Sequence, residues 1–161
     1  MNAIAKAVPN MTLTPFKGVA IRFATDADVD GIMWNLGFMA RENSPLTVNM
    51  GKVRRAVVES ISNSAAFVVE KGGKIVGCCS LFLSDMWYAD QQVLTDYFFF
   101  VHPAHRDYRI AKCLLDECKQ AAKVIGVPLV IGVMVKKDPI RKLKFFQRHM
   151  TPLGGFFISG H

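Results

Sequence analysis

An α/β fold, built on a mixed and mainly antiparallel sheet flanked by helices, is predicted by three features of the sequence. A glycine pair, Gly72-Gly73, separates two β-rich runs at 66–69 and 75–83, as in an antiparallel hairpin. A strongly apolar run at 93–101 leads through a basic turn into an amphipathic segment reaching about Gly126, which reads as strand, loop, helix. A continuous apolar run at 128–133 then follows, as a buried parallel strand would. The length of 161 residues suits one domain, and 51% apolar against 20% charged residues describes a globular chain.

In chain order, residues 1–18 carry little pattern and are expected to form an N-terminal extension to a domain at 19–161. Lys6 interrupts the apolar stretch there, so it does not read as a signal peptide. Val19, Ile21 and Phe23 alternate with Ala20 and Arg22 as a short first strand. A helix should begin at Thr25, with Asp28 completing a capping box and Ile32, Leu36 and Met39 forming the apolar stripe. A polar loop at 40–46 holds Arg41, Glu42 and Asn43 and ends in the breaker Ser44-Pro45. A second helix from about 49 to 60 sets Met50, Val53 and Val57 at helical spacing.

After the glycine hairpin, a loop at 84–92 carrying Trp87 and Tyr88 should lead into the strand at 93–101, paired antiparallel with the one before it. Pro103 cannot donate to a ladder, so that strand should end near Val101. Ile110, Leu114, Cys118, Ala121 and Ile125 then recur at helical spacing, opposite Lys112, Asp116, Lys119 and Lys123, with Gly126 as C-terminal cap. Beyond the strand at 128–133, Asp138 as N-cap and Pro139 at the first helical position open a last helix, and 156–158 should close the sheet. The expected order is β-α-α-β-β-β-α-β-α-β. Cys78, Cys79, Cys113 and Cys118 show no Cys-x-x-Cys spacing and read as buried free thiols in a reducing compartment. The adjacent pair should point to opposite faces of its strand. The longest apolar run, at 127–135, is too short to cross a bilayer as a helix, so a cytoplasmic protein away from membranes is expected.

The turn at 102–109 has chemistry in it. The first N–H groups of a helix lack internal acceptors and carry roughly +0.5 of a charge. With Arg106 and Arg109 beside them they suit a diphosphate, although an ordinary strand-to-helix connection with solvated arginines has the same pattern. His102 and His105 share the turn without a further His or Cys at ligand spacing, so no metal site is expected. Nothing in the chain matches Gly-x-Ser-x-Gly, a P-loop or a paired-carboxylate site.

Residues 101–115 resemble motif A of the GNAT superfamily of acyl-CoA-dependent N-acyltransferases. There a strand ending in Val-x-Pro is followed by Arg/Gln-x-x-Gly-x-Gly/Ala and a helix rich in Leu-Leu. Arg106-Asp107-Tyr108-Arg109-Ile110-Ala111 matches the arginine and the final small residue, and Leu114-Leu115 stands at the expected place. Arg109 replaces the middle glycine, which works only without φ > 0, and Asp107 stands where glycine is common. The expected element order matches the GNAT fold after Gly18.

The resemblance implies an N-acetyltransferase that moves an acetyl group from acetyl-CoA to a primary amine by direct attack in a ternary complex. It implies that Phe99, Phe100 and Val101 hold the pantetheine arm through their backbone, with Phe146 packed along it. The loop residues Arg106, Asp107, Tyr108, Arg109, Ile110, Ala111 and Lys112 would bind the pyrophosphate. Arg41, Glu42 and Asn43 become candidate acceptor contacts, with a solvated loop as the plain alternative. Trp87 and Tyr88 either cover the acceptor pocket or pack on the sheet. Asp96 is the candidate general base, and strand alternation groups it with Phe98 and Phe100 unless a bulge shifts the register. Where the family often places an acidic tyrosine, this chain has Phe145 and Phe146, which leaves Tyr97 or Tyr108 as proton donor, or solvent.

The net charge of +7 favours anionic partners without choosing among CoA, nucleic acid and an acidic substrate. Two other readings are a catalytically weak acyl-CoA-binding protein and, ranked last, a nucleic-acid-binding protein using the basic residues at 136–148. The expected partners are therefore acetyl-CoA or CoA and an amine acceptor, and a homodimer is compatible with the sequence.

Overall fold

The computed structural model describes residues 18–136, 139–154 and 159. Strand β1 (Val19–Phe23) leads through a 3-10 turn at Asp26–Asp28 into helix α1 (Val29–Asn43), followed by helix α2 (Met50–Ser62). Strands β2 (Ala66–Lys71), β3 (Lys74–Met86) and β4 (Ala89–Val101) come next, then a 3-10 turn at Pro103–His105 and helix α3 (Tyr108–Ile125). Strand β5 (Leu129–Val130) and helix α4 (Pro139–Gln147) complete the described elements. The sheet has the order β1-β2-β3-β4-β5, antiparallel except for the parallel pair β4–β5. This is the mixed, mainly antiparallel arrangement that the sequence predicts.

Local chemistry explains most of the boundaries. Gly72 and Gly73 take φ of 57° and 71°, as a tight two-residue hairpin requires, and the β2–β3 hairpin forms around them. Gly126 stops α3 at φ 82°, its N–H bonding the Ala122 carbonyl at 2.9 Å. The Asp28 carboxylate accepts the Thr25 N–H at 2.8 Å and the Arg22 guanidinium at 2.7 and 2.8 Å. Arg22 also reaches Glu70 at 2.9 Å, so β1, β2 and the start of α1 share one ion-pair network. Arg22, and then the hydrogen bonds of Thr25, hold the Asp28 carboxyl down to about 2 against the opposing effect of burial.

Each face of the sheet carries its own core. Ile32, Leu36 and Val57 of α1 and α2 pack on Val68, Cys78, Phe98 and Phe100. Ile110, Leu114, Cys118 and Ala121 of α3 pack on Phe67, Cys79, Leu81 and Leu94. The adjacent thiols Cys78 and Cys79 thus go to opposite faces, and all four cysteines are free.

Three expectations need correction. The region at 84–92 is not a loop: β3 and β4 continue through it and turn only at Trp87 and Tyr88, which stand 94% and 66% exposed and do not pack on the sheet. Arg41, Glu42 and Asn43 form the last turn of α1 instead of a loop, because the helix bonds continue until Ser44 donates to the Ala40 carbonyl. The run at 128–133 pairs with β4 only at Leu129 and Val130, since β4 turns away beyond Thr95. Residues 1–17 of the expected extension at 1–18, the cap Asp138 and the strand at 156–158 lie outside the described residues. Among the described residues no helix is long and apolar enough to cross a membrane.

Candidate active site

The site is organised by a fault in β4. Its register against β3 slips between Ser80 and Leu81: Ser80 faces Phe98, Leu81 faces Asp96, and Tyr97 is the extra residue of a bulge. A slip of one residue exchanges the two faces for everything beyond it. Asp96 therefore shares the α3 face with Leu94 and Leu81, and Phe99 and Val101 return to that same cluster after the bulge. This corrects the grouping of Asp96 with Phe98 and Phe100, which pack on the α1–α2 face. Tyr97 also points to that second face, stacked on Phe82 with ring centroids 4.0 Å apart. The structure does not bring Tyr97 and Asp96 together.

The bulge also opens the sheet. After Leu94–Leu129 and Thr95–Val130, β4 and β5 separate, and the Gly132 N–H donates to Asp96 Oδ1 at 2.8 Å in place of a ladder bond. Along 97–101, no strand among the described residues pairs with the β4 edge away from β3. The result is a wedge with open backbone on one wall and the Asp96 carboxylate at its apex. Burial pushes the Asp96 carboxyl up to about 6, outweighing the hydrogen bonds from Gly132 and from its own backbone N–H. Phe146 of α4 meets Phe99 edge to face at 5.5 Å, and Phe145 and Phe146 stand against each other at 5.1 Å.

At the far end of β4, the His102 N–H closes the strand onto the Val76 carbonyl at 2.8 Å, and the 3-10 turn redirects the chain into α3. Asp107 is the N-cap of that helix: Oδ1 accepts the Arg109 N–H at 2.8 Å and Oδ2 meets the Arg109 guanidinium at 2.9 Å. The Arg109 side chain, with that backbone bond, holds the Asp107 carboxyl below its usual range. Arg109 lies inside α3, and Ser64 is the only described non-glycine residue with positive φ, so the loop closes without a glycine at this position. Ile110 is buried under the helix as an anchor. Lys112 pairs with Asp116 on the outer surface. The Tyr108 hydroxyl bonds His149 Nε2 at 2.8 Å, and Ala111 is half-buried beside the α3 core.

Arg106 occupies an unexpected place. Its guanidinium pairs with Glu42 at the end of α1 and lies 5.8 Å from the centroid of the Phe100 ring. The Asn43 side-chain oxygen accepts from Lys142 of α4 at 2.7 Å. The last turn of α1 is thereby tied both to the α3 loop and to α4. Residue types and spacing carry no sign of these pairings, because each joins positions more than sixty residues apart. Among the described residues no group of three His, Cys, Asp or Glu side chains stands together as a metal site.

The arrangement offers a helix N-terminus at one end, an open strand edge leading inward, and at the inner end a carboxyl that burial raises to about 6. The sequence matches the model of the acetyltransferase (GNAT) domain family over residues 62–149, more than half of the chain. Among solved structures, a ribosomal-protein-alanine N-acetyltransferase from Brucella melitensis biovar Abortus 2308 superposes with a TM-score of 0.68 at 17% identity, covering 89% of this chain and 99% of that one. A transcriptional regulator from Bacillus halodurans C-125 gives 0.69 at 23% identity with the same coverage of each chain. Glucosamine-6-phosphate N-acetyltransferase from Arabidopsis thaliana gives 0.63 at 15% identity, covering 89% of this chain and 97% of that one. At these identities the structures speak for the fold. No curated protein sequence matches the chain. The family match spans the bulged strand, the phosphate-suited turn and the helix that follows, and on that ground the chain belongs to the GNAT acetyltransferase family.

Proposed function

We propose that this chain transfers the acetyl group of acetyl-CoA to a primary amine by direct attack in a ternary complex, with Asp96 as general base. The observation that carries the reading is the Asp96 carboxylate at the apex of the β4–β5 wedge, with its pKa raised to about 6. In this reading the N-terminus of α3 receives the pyrophosphate and the open edge of 97–101 receives the pantetheine amides, as an added strand would be received. The thioester carbon then lies near the apex. The amine nitrogen attacks it, the ammonium proton passes to Asp96, and collapse of the tetrahedral adduct expels the CoA thiolate. Gly132, holding one carboxylate oxygen, fixes the orientation in which Asp96 accepts that proton. Phe145 and Phe146 cannot donate, Tyr108 is engaged with His149, and Tyr97 lies on the other face, so the thiolate takes its proton from solvent.

One feature favours a second reading, an acyl-CoA-binding protein of low catalytic power. The Asp107 carboxylate already takes the Arg109 N–H and places a negative charge where a diphosphate must approach. Calorimetric titration with acetyl-CoA, followed by thiol release over a panel of amines, separates the two. Saturable binding with amine-dependent thiol release supports transfer. Saturable binding with no release for any amine between pH 6 and about 9, around the Asp96 titration, would leave only the second reading. The structural relatives are named for acceptors as different as a ribosomal protein alanine and glucosamine 6-phosphate, so they do not select the amine.

A further inference from the structure

The β3–β4 hairpin beyond the sheet is used by nothing described so far. The β2 ladder on β3 ends at Ser80, and the Leu81 N–H goes to the Ala65 carbonyl. Past that point, no strand among the described residues covers the outer edge of β3 at 82–86, although β3 and β4 stay paired to Met86 and Ala89. The result is a two-stranded arm with an open edge, which ordinarily invites an added strand.

Its chemistry is selective. Trp87 and Tyr88 at the tip are 94% and 66% exposed, and Tyr97 at the base, stacked on Phe82, is 48% exposed. No lysine or arginine occurs between Lys74 and Arg106, while Asp85, Asp90 and Asp96 do, in a chain whose net charge is +7. Aromatic faces flanked by carboxylates attract guanidinium and ammonium groups and repel phosphates. Asp85 is steadied by the Gln92 side-chain amide, which donates to it at 2.8 Å.

We propose that this arm docks a basic, extended polypeptide segment along the open edge of β3. An extended segment supplies main-chain partners for 82–86, which a small polyamine does not. A chain laid along that edge brings cationic side chains to Asp85, Asp90, Trp87 and Tyr88 toward the tip.

The test uses two fluorescein-labelled decapeptides with the same free N-terminal amine, one carrying arginine at alternate positions in its distal half and the other glutamine there. Fluorescence anisotropy against the full chain, with CoA present, reads docking independently of turnover. The arginine peptide is expected to bind about tenfold more tightly or better, with the advantage falling as salt rises. Asp85→Asn with Asp90→Asn, and separately Trp87→Ala with Tyr88→Ala, should each shrink that preference to about threefold or less. Equal affinity for the two peptides, or a preference that survives both double variants, overturns the proposal. Single-stranded RNA that binds the arm and is lost in the same variants overturns it too.

Discussion

Replacing Asp96 by asparagine separates catalysis from architecture. The asparagine oxygen can still accept the Gly132 N–H, which Asp96 Oδ1 accepts at 2.8 Å, so the wedge keeps its apex. What disappears is the proton acceptor, and a positioned general base contributes about 100- to 10,000-fold in rate. We expect kcat to fall by at least roughly a hundredfold with little change in acetyl-CoA affinity. In the wild type, the kcat/KM profile should rise through about pH 6 as Asp96 ionises, and the variant should lose that limb. Stability should move the other way. A carboxyl raised from 3.8 to about 6 opposes folding once it is charged: its contribution is nil below the unfolded value, grows unfavourable from about pH 4, and is complete above about 6. The raised pKa sets a ceiling near 3 kcal/mol, which partial exposure of the carboxylate reduces to roughly 1–2. Asp96→Asn should therefore unfold at higher urea than wild type at pH 8 and at the same urea near pH 3.5. A pH limb at 6 that persists in the variant, or a kcat within about threefold of wild type, would refute the base assignment.

Three other outcomes can be measured directly. Asp28, held at about 2 by Arg22, stabilises the fold above about pH 4 and loses that contribution as pH falls toward 2, so Asp28→Asn should cost about 2 kcal/mol in urea melts at pH 7 and much less near pH 2. Cys78, Cys79 and Cys118 have no exposed surface, and burial raises the first two thiols, so a thiol reagent at pH 8 should label at most Cys113 in the native protein and all four cysteines in denaturant. Asp107→Asn retains an oxygen to cap Arg109 but removes the charge, and should tighten acetyl-CoA binding by about two- to fivefold in calorimetry; weaker binding would mean that the carboxylate serves the site.

What could be read from the chain was whatever local chemistry decides. The glycine hairpin, the amphipathic stripe of α3 and the Gly126 cap each depend on a few neighbouring residues, and each forms where those residues stand. The hairpin tip went unread because Trp87-Tyr88 carries none of the Gly, Asn or Pro that marks a turn, and the surrounding Ser, Asp and Gln resemble a loop in composition. The bulge was illegible for a deeper reason. Register is settled by what β3, β5 and α3 present to β4, and no property of Asp96 or Tyr97 alone reveals which of them is the extra residue. Strand alternation therefore groups Asp96 with Phe98 and Phe100, whereas the structure sets it on the other face with Leu94. The Arg106–Glu42 pair is a tertiary fact of the same kind.

That pair bears on how the proposed phosphate loop would work without its glycine. Glycine matters in such loops for two separable reasons, a left-handed backbone angle and the absence of a side chain near the phosphates. Arg109 is helical, so the first reason does not apply here. The second does, because Asp107 and Arg109 bring side chains of opposite charge to the helix terminus and satisfy one another there. A diphosphate approaching this terminus meets a cap already filled by a carboxylate, and it must take over donors that Asp107 now uses. Arg106 does not offer an unpaired charge to help, because Glu42 engages it. Affinity for CoA in this chain should consequently rest more on the open edge of 97–101 and the packing of Phe99 and Phe146 than on the charges of the loop. Raising the salt concentration discriminates: contacts to exposed arginines weaken with ionic strength, whereas strand-like hydrogen bonds and apolar packing scarcely respond. Acetyl-CoA binding that loses less than about threefold between 50 and 300 mM salt is the expected result, and a steep decline would return the main role to the arginines.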